Sequence, residues 1–152
     1  MIKRTYPQSR LRRTRAKGYL RDLVAENHLS TNDLIQPIFI ADQQEMRIDI
    51  PSMPGIYRHN LESLYAETEE LIRQGIKSVA IFPAIDSDKK DAQGSHAFDH
   101  KNIVCSALRG LAERFPEVIK IADVALDPYT DHGHDGVLSD SRVDNDQTLK
   151  LL

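Results

Sequence analysis

The chain has 152 residues, 40% of them apolar and 28% charged, with a net charge of -3. That is an ordinary composition for a soluble domain with one hydrophobic core. Its single cysteine, Cys105, excludes an internal disulfide framework and suits a reducing, cytoplasmic compartment, no apolar run approaches the ~20 residues that span a bilayer, and the N-terminus lacks the apolar stretch of a secretory signal.

The charge is unevenly placed. Residues 1–21 carry Lys3, Arg4, Arg10, Arg12, Arg13, Arg15, Lys17 and Arg21 without one acid, leaving 12 basic against 23 acidic residues for the remainder. A +8 arm ahead of a -11 body can contact nucleic acid, a membrane surface or an acidic protein face. An Arg-rich, acid-free start also fits a mitochondrial transit peptide. No aromatic interleaving or nucleic-acid motif accompanies the arm, so an acidic protein surface is the simplest partner. Residues 15–28 are expected to be helical, with Leu20, Leu23 and Val24 at helical spacing. The organisation is therefore a basic arm with a short helix over 1–30 and a main domain over 31–152.

Ser30 to Asp33 supplies a turn or cap. Leu34 to Ile40 is the first strand candidate, and Pro37 within it argues for an edge or irregular strand. Pro51, Pro54 and Gly55 mark residues 50–58 as a loop or short hairpin. Asn60, or else Ser63, caps a helix whose apolar stripe is Leu61, Leu64, Tyr65, Thr68, Leu71 and Ile72, and Gly75 ends it. Lys77 to Pro83 is a second strand, an unalternating apolar run of the kind covered on both faces. Asp86 to Asp99 is a long polar loop whose Lys89, Lys90 and His96 read as solvated surface. Residues 101–115 form a second amphipathic helix, with Ile103, Val104, Ala107, Leu108, Leu111 and Phe115 inward and Pro116 as its stop. Val118 to Ala122 then reads as a short buried strand, which Pro128 ends near Leu126.

Strand centres near Ile38, Ile81 and Ile121 lie 43 and 40 residues apart. Alternating strands and helices imply a parallel sheet with right-handed crossovers. A flavodoxin-like or Rossmann sheet fits that order, but no glycine-rich loop follows any strand.

The chemistry concentrates in Asp123-Val124-Ala125-Leu126-Asp127-Pro128-Tyr129-Thr130-Asp131-His132-Gly133-His134-Asp135-Gly136, four acids and two histidines in fourteen residues. Such carboxylates repel one another unless a cation, a lysine or solvent sits among them. The string resembles the signature of the porphobilinogen synthase (5-aminolevulinate dehydratase) family. Tyr6-Pro7-x-x-Arg10-Leu11-Arg12-Arg13 and Ser52-Met53-Pro54-Gly55 resemble further segments of that family. Many members carry three zinc-holding cysteines in the signature; here Ala125, Asp127 and Asp135 stand in their places, as in the zinc-free branch.

The resemblance implies a (β/α)8 TIM barrel, of which this chain would hold the arm and the first three βα units. The implied reaction condenses two molecules of 5-aminolevulinate to porphobilinogen, for haem and other tetrapyrroles. The two Schiff-base lysines of the family fall beyond Leu152, so no catalytic lysine is assigned here. Asp127 and Asp135 would face the second substrate or a cation, and Asp123 would support them. Carboxylates favour hard cations, so the substrate ammonium, magnesium or a monovalent ion is expected rather than zinc. Magnesium would bind as an allosteric ion, mostly outside this segment. The arm would embrace a neighbouring subunit in a homo-octamer, with no nucleic-acid or membrane partner.

A barrel of this type needs about 250 residues. The chain stops one turn into a helix capped by Asn145 or Asp146, with Leu149 and Leu152 opening its apolar face, and it reads as truncated, with the edge of its third strand open. Two other functions stand as alternatives. One is a metal-dependent hydrolase using Asp127, His132, His134 and Asp135. The other is a non-enzymatic basic arm that binds nucleic acid.

Overall fold

Helix ends chosen by residue type frame the structure. Asn60 Oδ1 accepts the Ser63 N–H at 2.9 Å and starts α2, Leu61–Arg73. Gly75, at φ 87°, ends it: the Gly75 and Ile76 N–H groups donate to Ile72 and Leu71 at 2.9 Å, a Schellman closure. Asn102 caps α3, Ile103–Arg114, by accepting the Cys105 N–H at 2.8 Å.

A computed structural model describes residues 4, 5, 7–9 and 12–152 of the chain. Two compact units result, Met1–Ser30 and Thr31–Leu152. In the first, a 3-10 turn at Arg13–Arg15 precedes the helix α1, Gly18–Leu23. This helix is shorter than the spacing of Leu20, Leu23 and Val24 suggests. It buries no residue, and Leu23 is 80% exposed, so no packing extends it. Lys3, Tyr6, Arg10 and Leu11 of the arm lie outside the described residues.

The second unit is built on a five-stranded sheet among the described residues. Its strands are β1 (Gln36–Ala41), β2 (Arg47–Asp49), β3 (Tyr57–His59), β4 (Ser78–Ala84) and β5 (Ile119–Ala122), in the order β2-β3-β1-β4-β5. Only the β2–β3 hairpin is antiparallel. Pro37 therefore lies in an inner strand, against the edge position expected from its missing N–H. The register explains why it is tolerated. β3 meets β1 only at Phe39 and Ile40, so β4 alone flanks Pro37. Pro83 is placed likewise, beyond Ile81, where the β5 pairing ends.

Both crossover helices lie on one face. Ile38 and Ile40 of β1, Val79 and Ile81 of β4, Leu64 and Leu71 of α2, and Val104, Ala107 and Leu111 of α3 form one core. Helices on a single face exclude double winding over these strands. The opposite face carries Phe39 and Phe82, half-buried, with ring centroids 6.0 Å apart. The second strand is thus covered on one face and half-covered on the other, not on both as its apolar run suggests. The third strand also departs from expectation. It stops at Ala122, short of Leu126, and leaves Ile119 60% and Ile121 39% exposed, while its pairing with β4 alone is the open edge that was expected.

Beyond it, β6 (Leu138–Ser139) and β7 (Arg142–Val143) form a hairpin whose tip, Asp140 and Ser141, has positive φ at both positions, as a tight primed turn demands. Asp144, not Asn145 or Asp146, caps the short helix α4, Asn145–Thr148, by accepting the Gln147 N–H at 3.0 Å. Gly136 sits under this piece at φ 148°, where a Cβ would lie 2.6 Å from Val143 and 2.7 Å from Thr148 Oγ1. No described helix is long and apolar enough to cross a membrane.

Candidate active-site loop

Parallel strands place their chemistry at their C-terminal ends. Here Asp42 follows β1, Asp86 closely follows β4 and Asp123 follows β5. Asp42 and Asp86 line a cleft of about 420 Å³ with Arg58 and Ala84. Lys89 donates to Asp42 at 2.8 Å, and this hydrogen bond raises the lysine pKa above its ordinary value. Lys89 is therefore tied to the end of β1 rather than simply solvated. The missed signal was an acid within two residues of the end of β1, β4 and β5.

The acidic loop is anchored by its apolar members. Leu126, Tyr129 and Thr130 are buried, and the Tyr129 and Thr130 N–H groups both donate to the Leu126 carbonyl, at 2.8 and 3.0 Å. Burial, helped by the nearby Cys105, pushes the Tyr129 phenol up to about 12. With these inside, Asp123, Asp127, Asp131 and Asp135 face outward and are exposed. Asp135 Oδ1 accepts the Leu126 N–H at 2.7 Å. Asp127 and Asp123 have no side-chain hydrogen bond or ion pair among the described residues, so their oxygens are available to a cationic group. Ala125, half-buried, offers no ligand atom.

The polar loop 86–99 forms the other wall, a role its composition did not suggest. Asp91 and Thr130 make a parallel bridge: the Asp91 N–H donates to Tyr129 O at 3.3 Å, and the Asp131 N–H to Asp91 O at 3.1 Å. The Asp91 carboxylate accepts N–H groups of Gln93 at 2.8 Å and Ser95 at 3.0 Å, which hold its pKa below the usual range. That Asx turn, legible in Asp91-Ala92-Gln93-Gly94-Ser95, was the available signal. Gly94 has φ 63°, and a Cβ there would lie 3.5–3.6 Å from Thr130, Tyr129 and Leu126. The His96 ring lies 6.1 Å from that of Tyr129.

The two histidines are not gathered with other ligand-type side chains. Among the described residues no three His, Cys, Asp or Glu side chains are placed to hold an ion. The His132 ring is engaged at both nitrogens, with Nδ1 accepting the His134 N–H at 3.1 Å and Nε2 lying 3.2 Å from Ala92 O. The hydrolase arrangement of Asp127, His132, His134 and Asp135 is thus not assembled, and a zinc set of cysteine type has no atoms to use.

Comparison with known proteins gives a uniform result. The family model described as delta-aminolevulinic acid dehydratase matches residues 8–152. Proteins of that name from Chlamydia pneumoniae and Helicobacter pylori are 43% and 44% identical to the chain over 94% of its length, covering 43% and 44% of their own. The crystal structure of delta-aminolevulinic acid dehydratase (porphobilinogen synthase) from Toxoplasma gondii ME49, in complex with the reaction product porphobilinogen, superposes with a TM-score of 0.87 at 39% identity. That match covers 94% of this chain and 41% of the Toxoplasma chain. The chain spans less than half the length of these relatives.

Proposed function

The chain belongs to the delta-aminolevulinic acid dehydratase family, and on that premise we propose that it supplies the N-terminal part of a cytoplasmic enzyme condensing two molecules of 5-aminolevulinate to porphobilinogen. The sheet, with its helices on one face, is then a sector of a (β/α)8 barrel, and the acidic loop lies at the barrel's C-terminal mouth. The observation that carries this reading is the loop after β5. It leaves Asp127 outward and unpaired, with Asp135 braced on the Leu126 N–H.

The role we assign to Asp127 and Asp135 is electrostatic. Each substrate brings an ammonium and a keto group to the site. Schiff-base lysines, which the family resemblance places beyond Leu152, activate the ketones. A carboxylate about 4 Å from an ammonium gains about 1 kcal/mol in water and about 4 kcal/mol where the effective dielectric constant is near 20. Asp127 and Asp135 thereby orient the amine of the second substrate, and Asp123 adds a third negative charge at the end of β5. The same oxygens suit magnesium or a monovalent cation, which would neutralise the acidic wall; Ala125, with no donor atom, does not suit a zinc site of cysteine type. The basic arm belongs to the same reading as the contact with a neighbouring subunit of a homo-octamer. Deleting residues 1–21 should lower the sedimentation coefficient of the assembled enzyme.

The test is turnover by the product of the complete reading frame. It should form porphobilinogen from 5-aminolevulinate and keep doing so in a zinc-selective chelator. Activity lost on chelation and restored by zinc alone would overturn the zinc-free site; no porphobilinogen under any condition would overturn the function.

A further inference from the structure

Asp135 is useful to that reaction only if the loop holds it in place, and it sits between two glycines, Gly133 and Gly136, whose positive φ values show how far the backbone turns there. One imidazole links this segment to the facing loop. His132 Nδ1 lies 3.1 Å from the His134 N–H, so it must accept. A neutral ring then carries its proton on Nε2, which lies 3.2 Å from the Ala92 carbonyl and donates to it. His132 thus joins two loops 40 residues apart in sequence. The backbone of His134 is gripped at its other end too: its carbonyl accepts from Thr130 Oγ1 at 2.9 Å and from the Gly136 N–H at 3.0 Å. The next residue is Asp135, on the Leu126 N–H.

We propose that His132 is a positioning residue of the acidic site. Its two ring nitrogens clamp the His134 backbone to Ala92, and this clamp keeps the Asp135 carboxylate on Leu126 and facing the substrate amine. The proposal rests on the function assigned above only in its last clause. The clamp itself is a property of this chain. A histidine suits the position because one nitrogen must accept and the other donate, on opposite sides of a rigid ring. No other side chain combines those roles at that separation.

Two measurements test it. In the 152-residue chain, amide hydrogen exchange at Leu126 and His134 is followed in the wild type and in His132→Ala, His132→Asn and His132→Gln. Both amides should exchange about tenfold faster in the Ala variant, the factor expected for losing a hydrogen bond of ordinary strength. Asn, which keeps an acceptor near Nδ1, should restore His134 protection; Gln, which keeps a donor near Nε2, should not. Amides of α2, such as Leu64 and Thr68, should not change. In the complete enzyme, His132→Ala should lower kcat/KM by about tenfold, with the borohydride-trapped imine of the first substrate formed in wild-type yield. The clamp is overturned by wild-type exchange at Leu126 in the Ala variant, or by acceleration that extends to α2. Faster exchange at Leu126 with unchanged kcat/KM overturns the positioning role. A wild-type enzyme without turnover refutes the function and leaves the exchange data to decide the clamp.

Discussion

At the scale of single residues, the C-terminal piece turns on one hydroxyl. Thr148 is 5% exposed; its Oγ1 accepts the Val137 N–H at 3.0 Å and donates to the Asp144 carbonyl at 2.7 Å. Val137 is itself buried. Thr148→Val keeps the shape and removes the acceptor, leaving a buried N–H without a partner. The expected loss is about 1–3 kcal/mol in denaturant unfolding, with Thr148→Ser recovering most of it. A valine variant as stable as the wild type would mean that water replaces the hydroxyl. Nothing in the sequence marked Thr148 out, because its partner Val137 is eleven residues away. Asn60 was legible, because an N-cap serves N–H groups two or three residues ahead and residue type alone identifies it; Asn102 carries the same signal but was placed inside the helix over 101–115.

At the scale of elements, the junction of β3 and α2 carries a titratable group. His59 ends β3 with 6% exposure, and its Nδ1 is 2.8 Å from Ser63 Oγ in the first turn of α2. Burial lowers its pKa below the ordinary 6.5; Glu67 opposes this and Arg47 adds to it. The unfolded chain therefore takes up the proton first as pH falls. Stability from the neutral, buried ring is intact above about 6.5 and is lost as pH falls from there through the lowered folded value. Melting temperature should thus fall between about pH 7 and pH 5, and His59→Gln should flatten that limb while leaving the lower, carboxylate-driven limb near Asp91 and Asp144 in place. Equal slopes in both proteins would remove His59 as the cause. The helices here were readable because Leu64, Thr68 and Leu71 repeat at helical spacing. The open edge of β5 was expected but its burial was misread, because a short apolar run looks the same whether or not its faces are covered, and Ile119 is exposed.

At the scale of the whole molecule, the proposed reaction needs a lysine held neutral enough to form an imine. The lysines here are Lys3, Lys17, Lys77, Lys89, Lys90, Lys101, Lys120 and Lys150. Lys89 is held protonated by Asp42, and Lys120 donates to the Phe115 carbonyl at 2.8 Å. Among the described residues no lysine is buried. We therefore expect the 152-residue chain alone to form no porphobilinogen and to give no specific adduct when incubated with 5-aminolevulinate and borohydride and weighed by mass spectrometry. One lysine adduct, together with product when reductant is omitted, would place the catalytic amine within this chain.

Sequence alone determined the strand–helix alternation, the cap at Asn60, the end at Gly75 and the acidic string that holds Asp127 and Asp135. Each follows from periodicity, from a residue acting on near neighbours, or from a contiguous string that resembles a known family. Tertiary structure decided which face the helices share, how Pro37 fits an inner strand, and that the loop 86–99 walls the acidic site. It also set the His132 ring against the Ala92 carbonyl. Those facts depend on hydrogen bonds and contacts between segments tens of residues apart, which local pattern does not encode.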